Sequence, residues 1–560
     1  MLGLAPALTL LLFLAPVAAG LIGTWLPAFG YLPALGGQEL TLAPWRALFA
    51  SPGLSSAIRL TLTTGLFATT LSLMLALGLC MSLHGSRPFR LMRRLIPPLL
   101  ATPHAAFALG LVFLIGPSGW IVRALSPWAT GWTRPPDLLI VQDPWGMALV
   151  AGLVLKEVPY LILMILAALN QLKAEQTLAV ARSLGYGPIA AWLKAVLPGL
   201  YPQIRLPIYA VLTFSFSVVD MAIILAPNTP PPLAVEVVSW FNDRDLAMTF
   251  QAAAGATLLL ALVLGAIFLW VVAERLVASL SRPWLSAGSR GGSGRGARIA
   301  AFGLAVVLLG VSLVNLLGMA LWSFASLWRF PHALPAGLSL AAWANALPGL
   351  LRPGWTTLAV GIAASVLALV LVLACLENEE RKRLRPGMGV LWLLYAPLLL
   401  PQAAFLFGAQ VLLVLIGLDA SLPAVVWFHL FFVLPYVFLS LSDPWRTLDE
   451  RYQRTALCLG AAPFKVFWRI KLPMLLRPVL FALAVGFAVS VAQYLPTLFA
   501  GGGRWPSLTT EAVTLSAGGD RRLIGVYAFS QSLLPLLGFT LAMMLPVWVF
   551  RHRRALARVE

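Results

Sequence analysis

The dominant pattern along this chain is a series of long apolar runs separated by short polar segments. About twelve runs, centred near residues 14, 70, 105, 158, 215, 262, 308, 365, 403, 433, 487 and 537, have the roughly 20 apolar residues a helix needs to cross a bilayer. Six precede a Gly/Ser/Arg-rich segment and six follow it. The pattern predicts an all-α polytopic membrane protein of about twelve transmembrane helices in two six-helix halves, residues 1–280 and 299–560. Residues 281–298 are the linker, expected to be a flexible cytosolic coil with an r.m.s. reach of roughly 20–25 Å.

The polar segments repeat as well. Residues 171–198 read QLKAEQTLAVARSLGYGPIAAWLKAVLP and residues 446–473 read RTLDERYQRTALCLGAAPFKVFWRIKLP. Aligned on glycine, the two share Ala181/Ala456, Leu184/Leu459, Gly185/Gly460, Pro188/Pro463 and Leu197-Pro198/Leu472-Pro473. Each predicts a helix, a left-handed glycine stop, a short amphipathic helix starting at proline, and an end at Leu-Pro. Further matches keep the same order in both halves: Thr61/Thr357 with Gly65/Gly361, Pro103-x-Ala-Ala-Phe107-x-x-Gly110 with Pro401-x-Ala-Ala-Phe405-x-x-Gly408, and Pro159-Tyr160 with Pro435-Tyr436. Two halves of six spans, both starting in the cytosol, imply parallel repeats.

These loops resemble the EAA loop of ABC importer permeases: Glu-Ala-Ala, three residues, Gly, nine residues, Ile, one residue, Leu-Pro. The match departs from the family at the acid, where this chain has Ala179 and Arg454, and only Ile470 fills the Ile position. The resemblance, closest to the fused permeases associated with ferric iron and thiamine uptake, implies two coupling loops that dock two copies of a separate ABC ATPase. It also implies an external or periplasmic solute-binding protein and a small-molecule or metal-ion substrate. No cofactor is then expected in this chain, ATP and Mg belonging to the ATPase.

Composition agrees with the membrane class: 60% of residues are hydrophobic and 11% charged, against roughly 25% charged in soluble domains. The net charge of +19 could point to nucleic acid. Its placement argues otherwise, because the Lys and Arg gather in residues 87–94, 173–205, 275–298, 381–385, 446–477 and 551–558, all on one side if the spans alternate. This is the positive-inside distribution, and it predicts a lipid partner, no nucleic acid and both termini cytosolic; the resemblance to ABC importer permeases implies a bacterial inner-membrane protein. The three cysteines imply no disulfide framework. The N-terminal run has the small residues of a signal-peptidase site but no preceding Lys or Arg, and is read as an uncleaved first span.

Within the spans, His104, Asp220, Gln402 and Gln493 are polar groups at membrane depth on proline-containing or pseudo-symmetric helices. They are the candidate translocation path, against the bland reading that they join helices. Lys156 and Glu157 point about 100° apart on one helix and need separate partners, one of which snorkelling to water would supply. The proline-rich spans are expected in the bundle interior, and the more uniformly apolar first, second, seventh and eighth against lipid. No phosphate-binding loop and no Gly-Lys pair occurs, nor H-E-x-x-H. An ion-coupled secondary transporter with two six-helix halves is the alternative, but it gives no account of the matched loops.

Overall fold

A computed structural model describes residues 2–384 and 387–551. Arg385, Pro386 and the ends of the chain, including the basic tail from residue 552 and with it the expected side of the termini, lie outside the described residues. The described residues form helices and no strands. The helices at the expected spans are α1 (Ala5–Ala28), α2 (Leu54–Leu83), α3 (His104–Ile115), α4 (Met147–Gln171), α5 (Leu197–Ser217), α6 (Met248–Ser286), α7 (Arg295–Phe324), α8 (Ala341–Arg381), α9 (Ala403–Leu415), α10 (Leu422–Arg446), α11 (Leu476–Val491) and α12 (Arg521–Val549).

Nine helices among the described residues are long and apolar enough to cross a membrane, and up to eleven if two sharply bent pairs each count as one span. The bent pairs are Trp392–Leu399 with α9, at 98°, and Pro463–Met474 with α11, at 76°. The expected span not among them is α5, which carries Pro202, Gln203, Arg205 and Pro207.

Burial sorts the helices. The most apolar stretches of α4 and α10 are 72% and 67% buried, whereas those of α1, α6, α7 and α12 are 22%, 22%, 28% and 17% buried. The second and eighth spans, at 44% and 39%, are therefore more enclosed than their uniform apolarity suggested. Composition fails here because lipid is as apolar as a helix–helix contact.

The first helix of each half packs on the other half. α1 lies along α9, where the Thr24 hydroxyl accepts from the Gly408 N–H at 3.0 Å. Trp427 Nε1 of α10 donates to the Leu12 carbonyl at 2.8 Å. Reciprocally α7 lies along α3, and Asn315 Nδ2 donates to the Phe107 carbonyl at 2.9 Å. The crossing explains the repeated glycines: at Gly408 the backbone of Gly20 and Gly23 leaves no room for a Cβ, and at Gly110 the Asn315 side chain leaves none. Small residues at such crossings let helices approach in a medium with no hydrophobic drive of its own. The repeated threonines are also explained, Thr61 accepting from Leu233 N and Thr357 from Leu508 N, each at 2.9 Å.

The segment between the halves is shorter than the expected coil. α6 runs through Ser286 and α7 starts at Arg295, leaving residues 287–294 between them.

Candidate functional site

Four helix breaks meet at the centre of the bundle. The third span stops after Leu100 and resumes at His104, and the ninth stops after Leu399 and resumes at Ala403. Both breaks precede a proline, Pro103 or Pro401. That residue forces its predecessor out of the helical region, as Leu400 shows at φ −107° and ψ 136°. The fifth span breaks at Val218–Val219, with Asp220 opening the next short helix, and the eleventh breaks at Ala492–Tyr494, around Gln493. Non-helical backbone at membrane depth is tolerated where it lines a cavity or is buried in protein.

A cavity of about 520 Å³ lies among these breaks. His104, Asp220, Gln402 and Gln493 all line it, so the four groups nominated from sequence share one surface. Tyr160, Tyr436 and Tyr494 line it too. Sequence reasoning noticed the repeated Pro-Tyr only as a repeat; a phenol held at the same depth in both halves was the available signal. His104 packs against Phe214, their ring centroids 4.7 Å apart.

Lys156 and Glu157 both border this cavity and are 4% and 6% exposed, so neither snorkels. They do have separate fates. Lys156 Nζ donates to the carbonyls of Thr102 at 2.7 Å and Leu100 at 3.4 Å, and lies 5.5 Å from the Phe107 ring centroid. Those carbonyls are among the acceptors that the break before His104 frees, so the lysine caps a broken helix. The Glu157 carboxylate accepts no hydrogen bond among the described residues and faces the cavity. All the charged groups of the lining, Lys156, Glu157 and Asp220, come from the first half. Beside the repeated Pro-Tyr, Phe432 and Val433 of the second half stand where Lys156 and Glu157 stand in the first.

On the basic side lie the two matched loops. Residues Ala174–Ser183 and Glu450–Cys458 are helical, and each helix ends at a glycine in the left-handed region, Gly185 at φ +82° and Gly460 at φ +83°. A second helix starts at Pro188 or Pro463 and passes into a π-helical turn, Trp192–Val196 or Phe467–Lys471. The loops do not stop at Leu-Pro as expected. In the first, helix continues through Leu197-Pro198 into α5; in the second it passes Leu472-Pro473, turns at Leu475 and enters α11. The proline lacks an N–H and its ring crowds the carbonyl four residues back, and the wider turn before it accommodates both. Each loop thus leads into a span that breaks at the cavity, the first by unbroken helix and the second across the bend at Leu475.

Ala179 and Arg454 stand at the position of the family acid. Arg454 pairs with Glu450 one helical turn earlier. Glu450 and its counterpart Glu175 both lie in the first turn of their helices, an acid shared by the two loops that the motif alignment passed over. Among the described residues no three His, Cys, Asp or Glu side chains converge as a metal site.

No protein-family model matches the chain. It is 34% identical over 525 residues to the inner membrane ABC transporter permease protein YnjC of Escherichia coli K12, covering 92% of this chain and 93% of that one. It is 24% identical over 470 residues, 80% of this chain and 81% of the relative, to the thiamine transport system permease protein ThiP of the same strain. The putrescine transport system permease protein PotI of that strain is 29% identical over 186 residues, 30% of this chain and 64% of the relative.

Proposed function

The chain belongs to the inner-membrane permeases of ABC importers, and from that premise we propose that its two halves, residues 1–280 and 299–560, form one substrate path driven by two external ATPase copies. The connection from each cytosolic loop to a break at the cavity carries this reading, by unbroken helix in the first half and across a 76° bend at Leu475 in the second. α5 has 21 residues, and at about 1.5 Å per residue it carries a displacement of the loop some 30 Å to the neighbourhood of Asp220. Elements with two discrete packings transmit such shifts.

In this reading Ala181, Leu184, Gly185, Pro188, Leu197 and Pro198, with Ala456, Leu459, Gly460, Pro463, Ile470, Leu472 and Pro473, shape the docking loops. His104, Glu157, Asp220, Gln402 and Gln493 line the route. A cavity with two carboxylates, one ammonium and three tyrosines suits a small polar organic solute, delivered by an external solute-binding protein. Both termini are cytosolic, and ATP and Mg act on the ATPase, none in this chain.

Reconstitution tests the reading. The purified chain alone is expected to accumulate no solute under a proton or sodium gradient, and to do so with its ATPase, ATP and the solute-binding protein. Asp220→Ala and Glu157→Gln are expected to lower that uptake at normal membrane abundance and normal ATPase association. Gradient-driven uptake by the chain alone overturns the proposal; loss of stability with loss of all function assigns these carboxylates to packing.

A further inference from the structure

The short segment between the halves lies on the first cytosolic loop. Arg290 O accepts from the Gly187 N–H at 2.7 Å. Lys194 Nζ donates to Ala287 O at 2.6 Å and to Ser289 Oγ at 3.2 Å. The same ammonium sits 4.8 Å from the ring centroid of Trp284, at the end of α6, and 5.7 Å from that of Tyr186. Gly291 and Gly294 run against the side chains of Ala190 and Ile189, and the Arg290 side chain lies against Gly185. A charge-assisted contact, a backbone hydrogen bond and a row of glycines that lets the strand lie close make a fitted contact.

Among the described residues nothing covers the second loop in this way. Aligned on Gly185 and Gly460, Ile189 corresponds to Phe464, Ala190 to Lys465, Leu193 to Trp468 and Lys194 to Arg469. Phe464 is 72% exposed, Trp468 52% and Leu459 81%, and none of the described residues approaches a Cβ at Gly460 within 4 Å. Lys465 and Arg469 are exposed as well, whereas Ala190 is buried and Ile189 and Lys194 are half-buried. Residues 287–294 therefore occupy, on the first loop, the face that the second loop presents to the cytosol.

We propose that the segment 287–294 is an internal occupant of the first ATPase-docking face, so that the two faces fill in order. The second loop, with two exposed aromatics and two exposed cations, takes the first ATPase copy. The first loop takes its copy only when the segment lifts away from Lys194 and Gly187. This rests on the reading of both loops as docking elements, and deepens it by making the two sites unequal.

The test titrates the purified ATPase subunit into the full chain in lipid nanodiscs, with accessibility measured separately. Wild-type chain is expected to bind in two distinct steps. Trp284→Ala, which loosens the cover without altering the loop, is expected to tighten the weaker step by about tenfold. Phe464→Ala is expected to abolish the stronger step. Without any ATPase, a thiol probe is expected to label Ile189→Cys slowly and Phe464→Cys fast, in a chain with exposed Cys458 changed to Ser, and Trp284→Ala is expected to speed the former. Two equal binding steps, or labelling of Ile189→Cys unchanged by Trp284→Ala, overturns the occupant and leaves the docking loops standing. Binding unaffected by Phe464→Ala together with Gly185→Val and Gly460→Val sinks the docking reading itself.

Discussion

The two matched loops have one backbone design and two different anchorages. Both have a left-handed glycine, a proline start and a π-helical turn. The first is held by apolar burial, with Trp192 1% and Val196 3% exposed, and is crossed by residues 287–294. The second is held by charge. Lys471, which stands where Val196 stands in the first, is 2% exposed, and its Nζ lies 2.7 Å from Glu377 and 2.9 Å from Glu380 at the end of α8. Trp445 Nε1 donates to the same Glu380 at 3.0 Å, and Arg446 pairs with Glu379 at 2.9 Å. In the first half Met81 stands where Glu377 stands, so the ionic cluster has no counterpart there. The repeat preserves the backbone of the loop and lets the attachment behind it diverge, because either kind of burial can hold a short helix.

The largest expected effect breaks the ionic anchorage. Removing one member of a buried pair leaves an uncompensated charge and costs about 3–5 kcal/mol, while replacing both by apolar residues is often neutral. Lys471→Met is therefore expected to lower the thermal stability of the detergent-purified chain sharply, and Lys471→Met with Glu377→Leu to recover part of it, since Glu380 still loses the ammonium and Arg381 its carboxylate. No recovery in the double variant would mean that the cluster does more than anchor.

A smaller effect is expected at the shared glycines. A β-branched residue at positive φ is strongly disfavoured, and strain of about 1–3 kcal/mol is enough to misplace the second helix of the loop. Gly185→Val and Gly460→Val are expected to insert normally and to lose ATPase-coupled uptake. Pull-down of the ATPase across a salt series sharpens the contrast. Gly185→Val leaves attachment to the more basic second loop, and screening over about 8–10 Å at 0.1–0.15 M makes it the more salt-sensitive of the two. Equal salt dependence would erase the difference between the loops.

The smallest effect concerns Arg454 and Glu450, an exposed pair in the second loop. Such pairs contribute about 0–1 kcal/mol, so Arg454→Ala is expected to leave thermal stability nearly unchanged. It frees Glu450, whose counterpart Glu175 has no arginine partner among the described residues, and ATPase pull-down in the variant shows whether that acid docks. Weaker pull-down would mean that the arginine, not the acid, makes the contact.

Much of this architecture was legible in local pattern. Run length gave the helices, the placement of Lys and Arg separated the two sides, and the spacing from Gly185 and Gly460 to Leu-Pro gave the paired loops. His104 and Gln402 announced themselves by the prolines before them. Other features depend on partners hundreds of residues away. Asn315 against Gly110 and Gly20 against Gly408 are contacts across the halves, and a glycine in an apolar run does not say which helix will cross it. The breaks at Val218–Val219 and Ala492–Tyr494 contain no proline, and their non-helical backbone is tolerated where it lines the cavity. Lys156 found its acceptors in a helix broken some fifty residues earlier in the chain. The linker read as a free coil because its composition is that of one, yet eight residues between two helix ends lie on the first loop. Hydropathy measures what a segment loses in water, and a face against lipid and a face against another helix lose the same. Which faces meet is settled by shape and by hydrogen bonds that must be satisfied away from water, and those exist only once the helices are assembled.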